Sequence, residues 1–174
     1  LDPERGASAL AELARAVLHF ETLADAGRGT TVVPTRAKSG DRTNVVPAEG
    51  ELSVDVRVWS REEAGRVENG VRGYRAADPR VAVRVEGGFD RPPLEPTPES
   101  LALFEKAKAF ASELGFELGA ARVGGASDGN LTAAEGVPTL DGLGPFGGGA
   151  HAREEFVRIS DLPMRAALLA SLLE

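Results

Sequence analysis

A cluster of prolines divides the chain and limits how its two parts can fold. Four of the eleven prolines fall within seven residues, at Pro92, Pro93, Pro96 and Pro98. Because proline lacks a backbone N–H and fixes φ, this stretch can be neither a helix interior nor a central strand. Such a composition is typical of an extended connector. We therefore expect two parts, residues 1–91 and 92–174.

The first part predicts a helix followed by two strands. Asp2 and Pro3 form an N-cap with proline at the first helical position. Apolar residues then recur at helical spacing as far as about Leu23. Residues 31–38 are rich in β-branched side chains, and residues 51–59 alternate apolar with polar side chains, so each segment predicts a strand with one buried face.

A second helix and a third strand complete this part. Ser60 opens a capping box with Glu63, which predicts a helix to about Tyr74. Valines alternate over residues 81–85 and predict the third strand. The order helix, strand, strand, helix, strand is that of a split β-α-β-β-α-β sandwich that lacks its first strand.

The second part alternates predicted helices and strands. Thr97 and Pro98 open a helix that ends at Gly115, and Leu103, Phe110 and Leu114 share one face of it. A short strand over residues 117–123, a helix from about Asp128 to Gly136, a buried strand over 137–140 and a last helix from Ser160 follow. This alternation predicts part of a layered α/β sheet.

Charge and composition exclude several function classes. The formal charge is −7. Residues 92–174 carry most of it, with 6 basic and 12 acidic side chains, whereas residues 1–91 have 14 basic and 15 acidic side chains. A binder of nucleic acid or of an anionic membrane needs a concentrated basic face, so neither partner is expected. The chain has no cysteine, which excludes disulfides, thiolate metal sites and a cysteine nucleophile. Because it begins at Leu1 without a leader, we expect a piece of a longer protein.

Glycines concentrate where we expect a functional site. Eleven of the 21 glycines lie between Gly115 and Gly149, and His151, one of two histidines, lies two residues beyond Gly149. This loop predicts backbone N–H donors beside an imidazole that ligates a metal or moves a proton. A mobile surface loop ending in histidine explains the same pattern. A phosphate-binding loop is not indicated, because no Gly-Lys-Ser/Thr follows.

Residues 125–129 fit the G-x-S-x-G pattern of a serine hydrolase. Ser127, Asp141 and His151 follow in the chain order that such enzymes use. The segment before the pattern is a poor buried strand, however, and the triad would lie within 25 residues. We therefore keep a serine hydrolase only as an alternative. The simpler interpretation of Asp128 is an N-cap of the helix that follows.

Arg57 and Asp55 occupy the polar face of the second predicted strand. A guanidinium on such a face can bind a substrate carboxylate through two parallel hydrogen bonds, or it can form an ordinary surface ion pair. Asn44 is similarly open to two interpretations, a turn former or a ligand donor.

Five motifs together resemble a known enzyme family. The motifs are Pro-Glu-Arg-Gly-Ala-Ser-Ala-Leu at residues 3–10, Thr-Asn-Val-Val-Pro at 43–47, Leu-Ser-Val-Asp-Val-Arg at 52–57, Gly-Gly-Ala-Ser-Asp at 124–128 and Gly-Ala-His at 149–151. In this order they resemble the zinc-dependent exopeptidases and deacylases of the glutamate carboxypeptidase, acetylornithine deacetylase and succinyl-diaminopimelate desuccinylase family. The glutamate carboxypeptidase branch is the most similar.

The resemblance implies a division of the chain and a set of site residues. Residues 1–91 would be a lid, or dimerisation, domain without its first strand, and residues 92–174 the C-terminal part of an α/β catalytic domain. By position His151 resembles a zinc ligand of the family. The residues implied to bind substrate are Asn44, Arg57, Arg91, Gly124, Gly125 and Ser127.

Other family features are not found in this sequence. The His-x-Asp motif, the bridging Asp, the Glu pair with the general base and a lid histidine are missing, and Ser8 replaces the usual Asn. The resemblance implies two zinc ions in the intact enzyme and an incomplete site here. We therefore expect the isolated chain to be inactive and to bind zinc weakly or not at all.

The sequence thus predicts a fragment of a cytoplasmic zinc-dependent amidohydrolase. Its substrate would be a small peptide or N-acyl amino acid, cleaved next to a free carboxylate, and the enzyme would be a homodimer through residues 1–91. The alternative from another class is a non-catalytic module, in which residues 1–91 serve only for dimerisation and the remainder is a scaffold.

Overall fold

The computed structural model of the chain describes residues 2–174, which form two compact units. One unit comprises the chain up to Pro93 together with Val123–Gly125, and the other comprises Leu94–Arg122 and Ala126–Glu174. The assignment of the two parts to a lid and a catalytic domain stays a prediction.

The first unit is built on an antiparallel pair of strands. Strand β1 (Thr31–Ser39) pairs with β2 (Gly50–Arg57), and both strands were predicted from their patterns. A bulge between Pro34 and Arg36 shifts the register. Because side chains alternate between faces, one extra residue reverses which positions face the core. Ala37 therefore shares a face with Leu52, as Val32 shares one with Val56.

Two helices cover one face of this sheet. Helix α1 (Ala9–Glu21) and helix α2 (Arg61–Arg72) supply buried residues to a common core. The buried members of this core are Ala16, Phe20, Val32, Val67 and Tyr74. The half-buried residues around them are Leu23, Leu52, Val54, Val56, Val58 and Val71. The opposite face of the sheet carries Asp55 and Arg57, both exposed.

Helix α1 begins later than predicted. Residues Pro3–Arg5 form a separate 3₁₀ turn, and α1 starts at Ala9 with Ser8 as its N-cap. The Ser8 hydroxyl accepts a hydrogen bond from the Ala11 N–H at 3.2 Å. Serine is among the residues that N-cap helices most often, so Ser8 fits this position.

Three segments predicted as strands are not strands among residues 2–174. These segments are residues 81–85, 117–123 and 137–140. Val83, Val123 and Val137 are 43%, 70% and 50% exposed, so none of the three is a core residue in the described chain. Alternation indicates which face a strand would bury, but a strand also needs a hydrogen-bonded neighbour, which the pattern does not supply.

The second unit is mainly helical. Helix α3 (Pro98–Glu113) has the predicted cap, in which Thr97 and Ser100 exchange hydrogen bonds, and Gly115 follows it with φ +85°. The predicted face of α3 is only partly correct, because Leu114 is 40% exposed. Ala107 and Ala111 are fully buried instead, and their small side chains let α5 (Leu162–Leu173) pack close, with Leu168 fully buried.

Shorter elements complete this unit. Helix α4 (Gly129–Ala134) is followed by Gly136 with φ +82°, as the sequence predicted. The glycine loop forms a short hairpin, in which β3 (Gly147–Gly148) pairs with β4 (Phe156–Val157). The 3₁₀ turn Ile159–Asp161 leads into α5. The α/β class is therefore confirmed. Among the described residues of this unit, this hairpin is the only sheet, so the predicted layered sheet is not found there.

Candidate functional site

Arg57 ends strand β2 on the face of the sheet that the helices leave uncovered. Its Nε donates to Asp55 Oδ2 at 2.8 Å, and its side chain is 53% exposed. Asp55 lies two residues earlier and therefore on the same face of the strand. The ion pair engages Nε. The two terminal nitrogens, Nη1 and Nη2, can bind a carboxylate through two parallel hydrogen bonds.

Gly124 packs against the stem of Arg57 within the first unit. A Cβ placed on Gly124 would lie 3.3 Å from Arg57 Cδ and 3.7 Å from Arg57 Cβ. The first distance is shorter than an ordinary van der Waals contact between carbons. A glycine at 124 therefore lets the backbone approach the methylene groups of Arg57. The structure thus brings together two of the predicted substrate-binding residues.

The other predicted residues of this unit lie outside its helices and strands. Asn44 is an exposed residue of the turn between β1 and β2, and Arg91 is exposed just before the prolines. Gly125 follows Gly124 and is also exposed. The roles of these residues in substrate binding stay predictions.

Ser127 is hydrogen-bonded directly to Asp141 in the second unit. The Ser127 hydroxyl donates to Asp141 Oδ2 at 2.7 Å and accepts from the Gly129 N–H at 3.0 Å. In a serine hydrolase triad, the hydroxyl instead donates to the histidine, which is held by the aspartate. The Ser127/Asp141/His151 alternative is therefore wrong for this arrangement, because the carboxylate occupies the position that the imidazole requires.

Ser127 also corrects the predicted cap of α4. The side chain that binds the first N–H of this helix belongs to Ser127 and not to Asp128. The Ser127 N–H in turn donates to Asn130 Oδ1 at 2.9 Å, and Asn130 is 8% exposed. The backbone of Ser127 is thus held to a buried side chain of the same helix.

His151 has an unusual backbone conformation for a residue with a side chain. Its φ is +67°, and it is the third residue of a turn that the Ala152 N–H closes onto the Gly149 carbonyl at 2.8 Å. This region favours glycine, and a histidine there costs about 1–3 kcal/mol. The side chain is exposed. Histidine adopts this conformation more often than most residues with a side chain. The role of His151 as a metal ligand stays a prediction.

The strongest pKa shifts belong to groups that hold the first unit together. Hydrogen bonds from Arg66 and Thr30 lower the pKa of the Glu63 carboxyl from 4.5 to about 2, against the effect of its burial. Burial and a hydrogen bond to Glu12 raise the pKa of Tyr74 to about 12. Both groups lie at the helix–sheet interface and away from the exposed face that carries Arg57.

Residues 3–174 match the pattern of a known enzyme family, Peptidase family M20/M25/M40. The chain belongs to this family. Among curated proteins, carboxypeptidase G2 from Pseudomonas sp. (strain RS-16) is 31% identical over 175 residues, which cover 98% of this chain and 42% of that protein. The chain thus spans less than half the length of this relative. A resemblance to metallopeptidases, inferred from five short motifs, is therefore confirmed.

A solved structure supports the fold of this M20 chain. Aminopeptidase PepT from Bacillus cereus ATCC 10987 superposes with a TM-score of 0.73 and 22% identity, covering 99% of this chain and 46% of that chain. Identity this low is evidence for the fold alone. Within the described residues, no helix is long and apolar enough to cross a bilayer.

M20 peptidases are generally metal-dependent, so we asked whether this chain could hold the metal itself. A zinc site takes at least three protein ligands, most often His, Asp, Glu or Cys. Residues 2–174 contain no group of three such side chains placed to share an ion. The donor set of this chain therefore does not fit a complete zinc site, and His151 can contribute at most one ligand.

The partnership of Ser127 with Asp141 was not predicted. The sequence placed both residues in a possible triad and gave no sign that the Asp141 carboxylate returns to the N-terminus of α4. A serine just before a helix is a signal for a cap, and it could have identified Ser127 in that role.

Proposed function

We propose that this chain is part of a metal-dependent hydrolase that cleaves a peptide or N-acyl amide next to a free carboxylate. Arg57 pairs with that carboxylate. The proposal rests on membership of a peptidase family together with the state of Arg57, an arginine on an uncovered sheet face with its stem against Gly124. The carboxypeptidase relative supports a substrate with a free carboxyl end.

The geometry of Arg57 favours a carboxylate over a neutral group. Asp55 binds Nε and so restricts rotation of the planar guanidinium, while Gly124 restricts its stem. A guanidinium held in this way loses less side-chain entropy when it binds a ligand. Two parallel charge-assisted hydrogen bonds then identify a planar anion such as a carboxylate.

Arg57→Ala in the intact protein tests this proposal. Loss of a charge-assisted pair should cost about 1.5–3 kcal/mol, and the effect should appear mainly in KM for a substrate with a free carboxylate. Arg57→Lys should give an intermediate KM, because lysine keeps the charge but not the fork. An unchanged KM for Arg57→Ala would count against the assignment.

Arg72→Ala provides a matched control. Arg72 is a half-exposed arginine of the same unit whose Nε donates to Glu68 Oε1 at 2.9 Å, so it resembles Arg57 in exposure and in its ion pair, and its Nη2 also donates to the Gly87 carbonyl at 2.9 Å. It lies on α2 instead of the sheet face. We expect its KM to equal that of the unaltered protein.

The finer features of the function are also proposals. His151 would be one ligand of a two-zinc centre, whose general base and other ligands belong to parts of the intact protein outside residues 1–174. The isolated chain would then be inactive and bind zinc weakly. Activity of the isolated chain equal to that of the intact protein would refute this.

The domain roles belong to the same proposal. Residues 1–91 would be the lid that pairs two copies of the cytoplasmic enzyme, and residues 92–174 part of the catalytic domain. Light scattering of the intact protein tests the pairing, with a dimer as the expected result. A strict monomer at high concentration would exclude it.

A further inference from the structure

Trp59, the only tryptophan in the sequence, follows strand β2 two residues after Arg57. Its side chain is one of the large apolar groups that stay exposed, at 36%. Tryptophan is highly buried on average, and its indole offers a large apolar contact area. An accessible indole this close to Arg57 is therefore a candidate for contact with a substrate.

The strand register places Trp59 on the same face of the sheet as Arg57. Arg57 pairs with Thr31 across the sheet. Two residues further out along both strands, Gly29 is expected opposite Trp59. Between the two, Val58 packs against the core. Because side chains alternate between the two faces of an extended chain, Trp59 and Arg57 both lie on the face that the helices leave uncovered.

The contact between Gly29 and Trp59 supports this placement and restrains the indole. A Cβ built on Gly29 would overlap atoms of the indole ring, so the ring occupies the space that a side chain at position 29 would fill. Gly29 also has φ +68°, a conformation that favours glycine. An aromatic ring held against the backbone in this way loses little conformational entropy when a ligand stacks on it.

The spacing of Arg57 and Trp59 suits a ligand that carries both a carboxylate and an apolar side chain. Residues two positions apart in an extended chain have Cα atoms about 7 Å apart. The carboxylate and the side chain of a C-terminal amino acid branch from the same carbon, so one such residue can contact both groups. The guanidinium binds the carboxylate, and the indole stacks with the side chain.

We propose that Trp59 and Arg57 form one substrate-binding site on the uncovered sheet face, in which Trp59 binds the aromatic or large apolar side chain of the residue whose carboxylate pairs with Arg57. This inference rests on the proposed function, which supplies a substrate with a free carboxylate. It adds a preference among such substrates, for a peptide ending in phenylalanine over one ending in alanine.

A purely structural role, in which Trp59 only covers the turn at Gly29, predicts a different result. Loss of such a role lowers stability and leaves the preference between two substrates unchanged. Loss of a binding role lowers the preference itself, because the phenylalanine side chain loses its contact and the alanine side chain has little to lose.

The test compares two peptides that differ only in a C-terminal phenylalanine or alanine, with the intact protein as the enzyme. The measured quantity is the ratio of kcat/KM for the phenylalanine peptide to kcat/KM for the alanine peptide. Trp59→Ala should lower this ratio about twofold to tenfold, the effect of one aromatic pair. Trp59→Phe keeps a ring and should retain most of the ratio. Leu18→Ala removes an exposed apolar side chain of α1, in the helix layer, and should leave the ratio unchanged.

Fluorescence provides a second measurement that does not depend on hydrolysis. The emission of Trp59 is the difference between the emission of the unaltered protein and that of Trp59→Phe. The probe is para-iodophenylalanine, whose iodine quenches an indole at close contact. We expect saturable quenching of the Trp59 emission, and much weaker quenching by the carboxamide of the same probe or in Arg57→Ala. Equal quenching by the acid and the carboxamide would overturn a site shared with Arg57.

The outcomes separate this inference from the proposed function. If the unaltered protein cleaves neither peptide, the proposed function fails, and the quenching still decides whether the two side chains form one site. If it cleaves both peptides and Trp59→Ala leaves the ratio unchanged, only the role of Trp59 is overturned. If Trp59→Ala does not fold, the quenching decides, and an absence of saturable quenching overturns the inference.

Discussion

Tyr74→Phe removes one hydrogen bond from a buried carboxylate and leaves the packing of the ring in place. The Tyr74 hydroxyl donates to Glu12 Oε1 at 2.5 Å, and Glu12 is 3% exposed. Glu12 also accepts from the Ala77 N–H at 3.1 Å and from Arg15 Nη1 at 3.0 Å. The hydrogen bond from Tyr74 is the largest cause of the lowered pKa of Glu12.

The magnitude follows from these contacts. Glu12 keeps its other donors in the variant, so the loss is one hydrogen bond to a charged group, about 1.5–3 kcal/mol of the free energy of unfolding. Amide hydrogen exchange of α1 in the intact protein measures this locally. Exchange should become roughly tenfold to 150-fold faster. In a Glu12→Gln background, where the acceptor is neutral, the cost of Tyr74→Phe should be smaller, about 0.5–1.5 kcal/mol.

The pH dependence provides a second measurement on the same pair. The pKa of Tyr74 is raised from 10.0 to about 12 in the folded protein. The stabilisation is therefore complete below pH 10 and is lost as the pH rises from 10 to 12, because the unfolded phenol ionises first. Tyr74→Phe should lack this alkaline loss. Exchange of α1 within twofold of that of the unaltered protein at neutral pH would refute the argument.

Three further predictions concern acid stability, the core of the second unit and the strained turn. The pKa of Glu63 is about 2 in the folded protein. The stabilisation that ionised Glu63 provides is therefore present above pH 4.5 and is lost as the pH falls from 4.5 to 2. Glu63→Gln should reduce this acid dependence in pH titrations of unfolding. Leu168→Ala should lower the free energy of unfolding by about 2–5 kcal/mol in denaturant titrations, because Leu168 is fully buried; a loss below about 1 kcal/mol would contradict this packing. His151→Gly should leave the free energy of unfolding unchanged or raise it by about 1 kcal/mol, because φ at this position is +67°. The same variant should lose hydrolysis, and an active glycine variant would exclude a role for the imidazole.

Local signals in the sequence predicted most helices of the fold. Thr97 and Ser100 exchange the hydrogen bonds of a capping box, and Gly115 ends the same helix with a positive φ. These features are set by residues within a few positions of each other, so a sequence pattern contains them. The start of α1 was wrong, because two cap signals, at Asp2 and Ser8, compete and the pattern does not rank them.

Strands and side-chain partners depend on residues far apart in the chain. The pairing of β1 with β2 was predictable because both strands alternate and lie close in sequence. Alternation over residues 81–85 was as clear, yet no strand is found there in the described chain. For the same reason the sequence placed Ser127 and Asp141 together but gave them the geometry of a triad. In the structure the carboxylate, 14 positions further along the chain, bonds directly to the hydroxyl.

The approach of Gly124 to Arg57 could not be worked out from spacing. The two residues are far apart in sequence, and the segment Val123–Gly125 belongs to the first unit although the chain on either side belongs to the second. Only the family resemblance placed both residues near the substrate. Their contact is therefore the structural observation that most supports the proposed role of Arg57.

Hydrolysis by the intact protein before and after metal removal tests the central claim most directly. The substrate pair is a peptide with a free C-terminal carboxylate and the same peptide with a C-terminal amide. We expect cleavage of the first to exceed that of the second, to stop after chelation and to return when zinc is added. Undiminished cleavage by the metal-free protein, or equal cleavage of the two peptides, would contradict a metal-dependent hydrolase that recognises a carboxylate through Arg57.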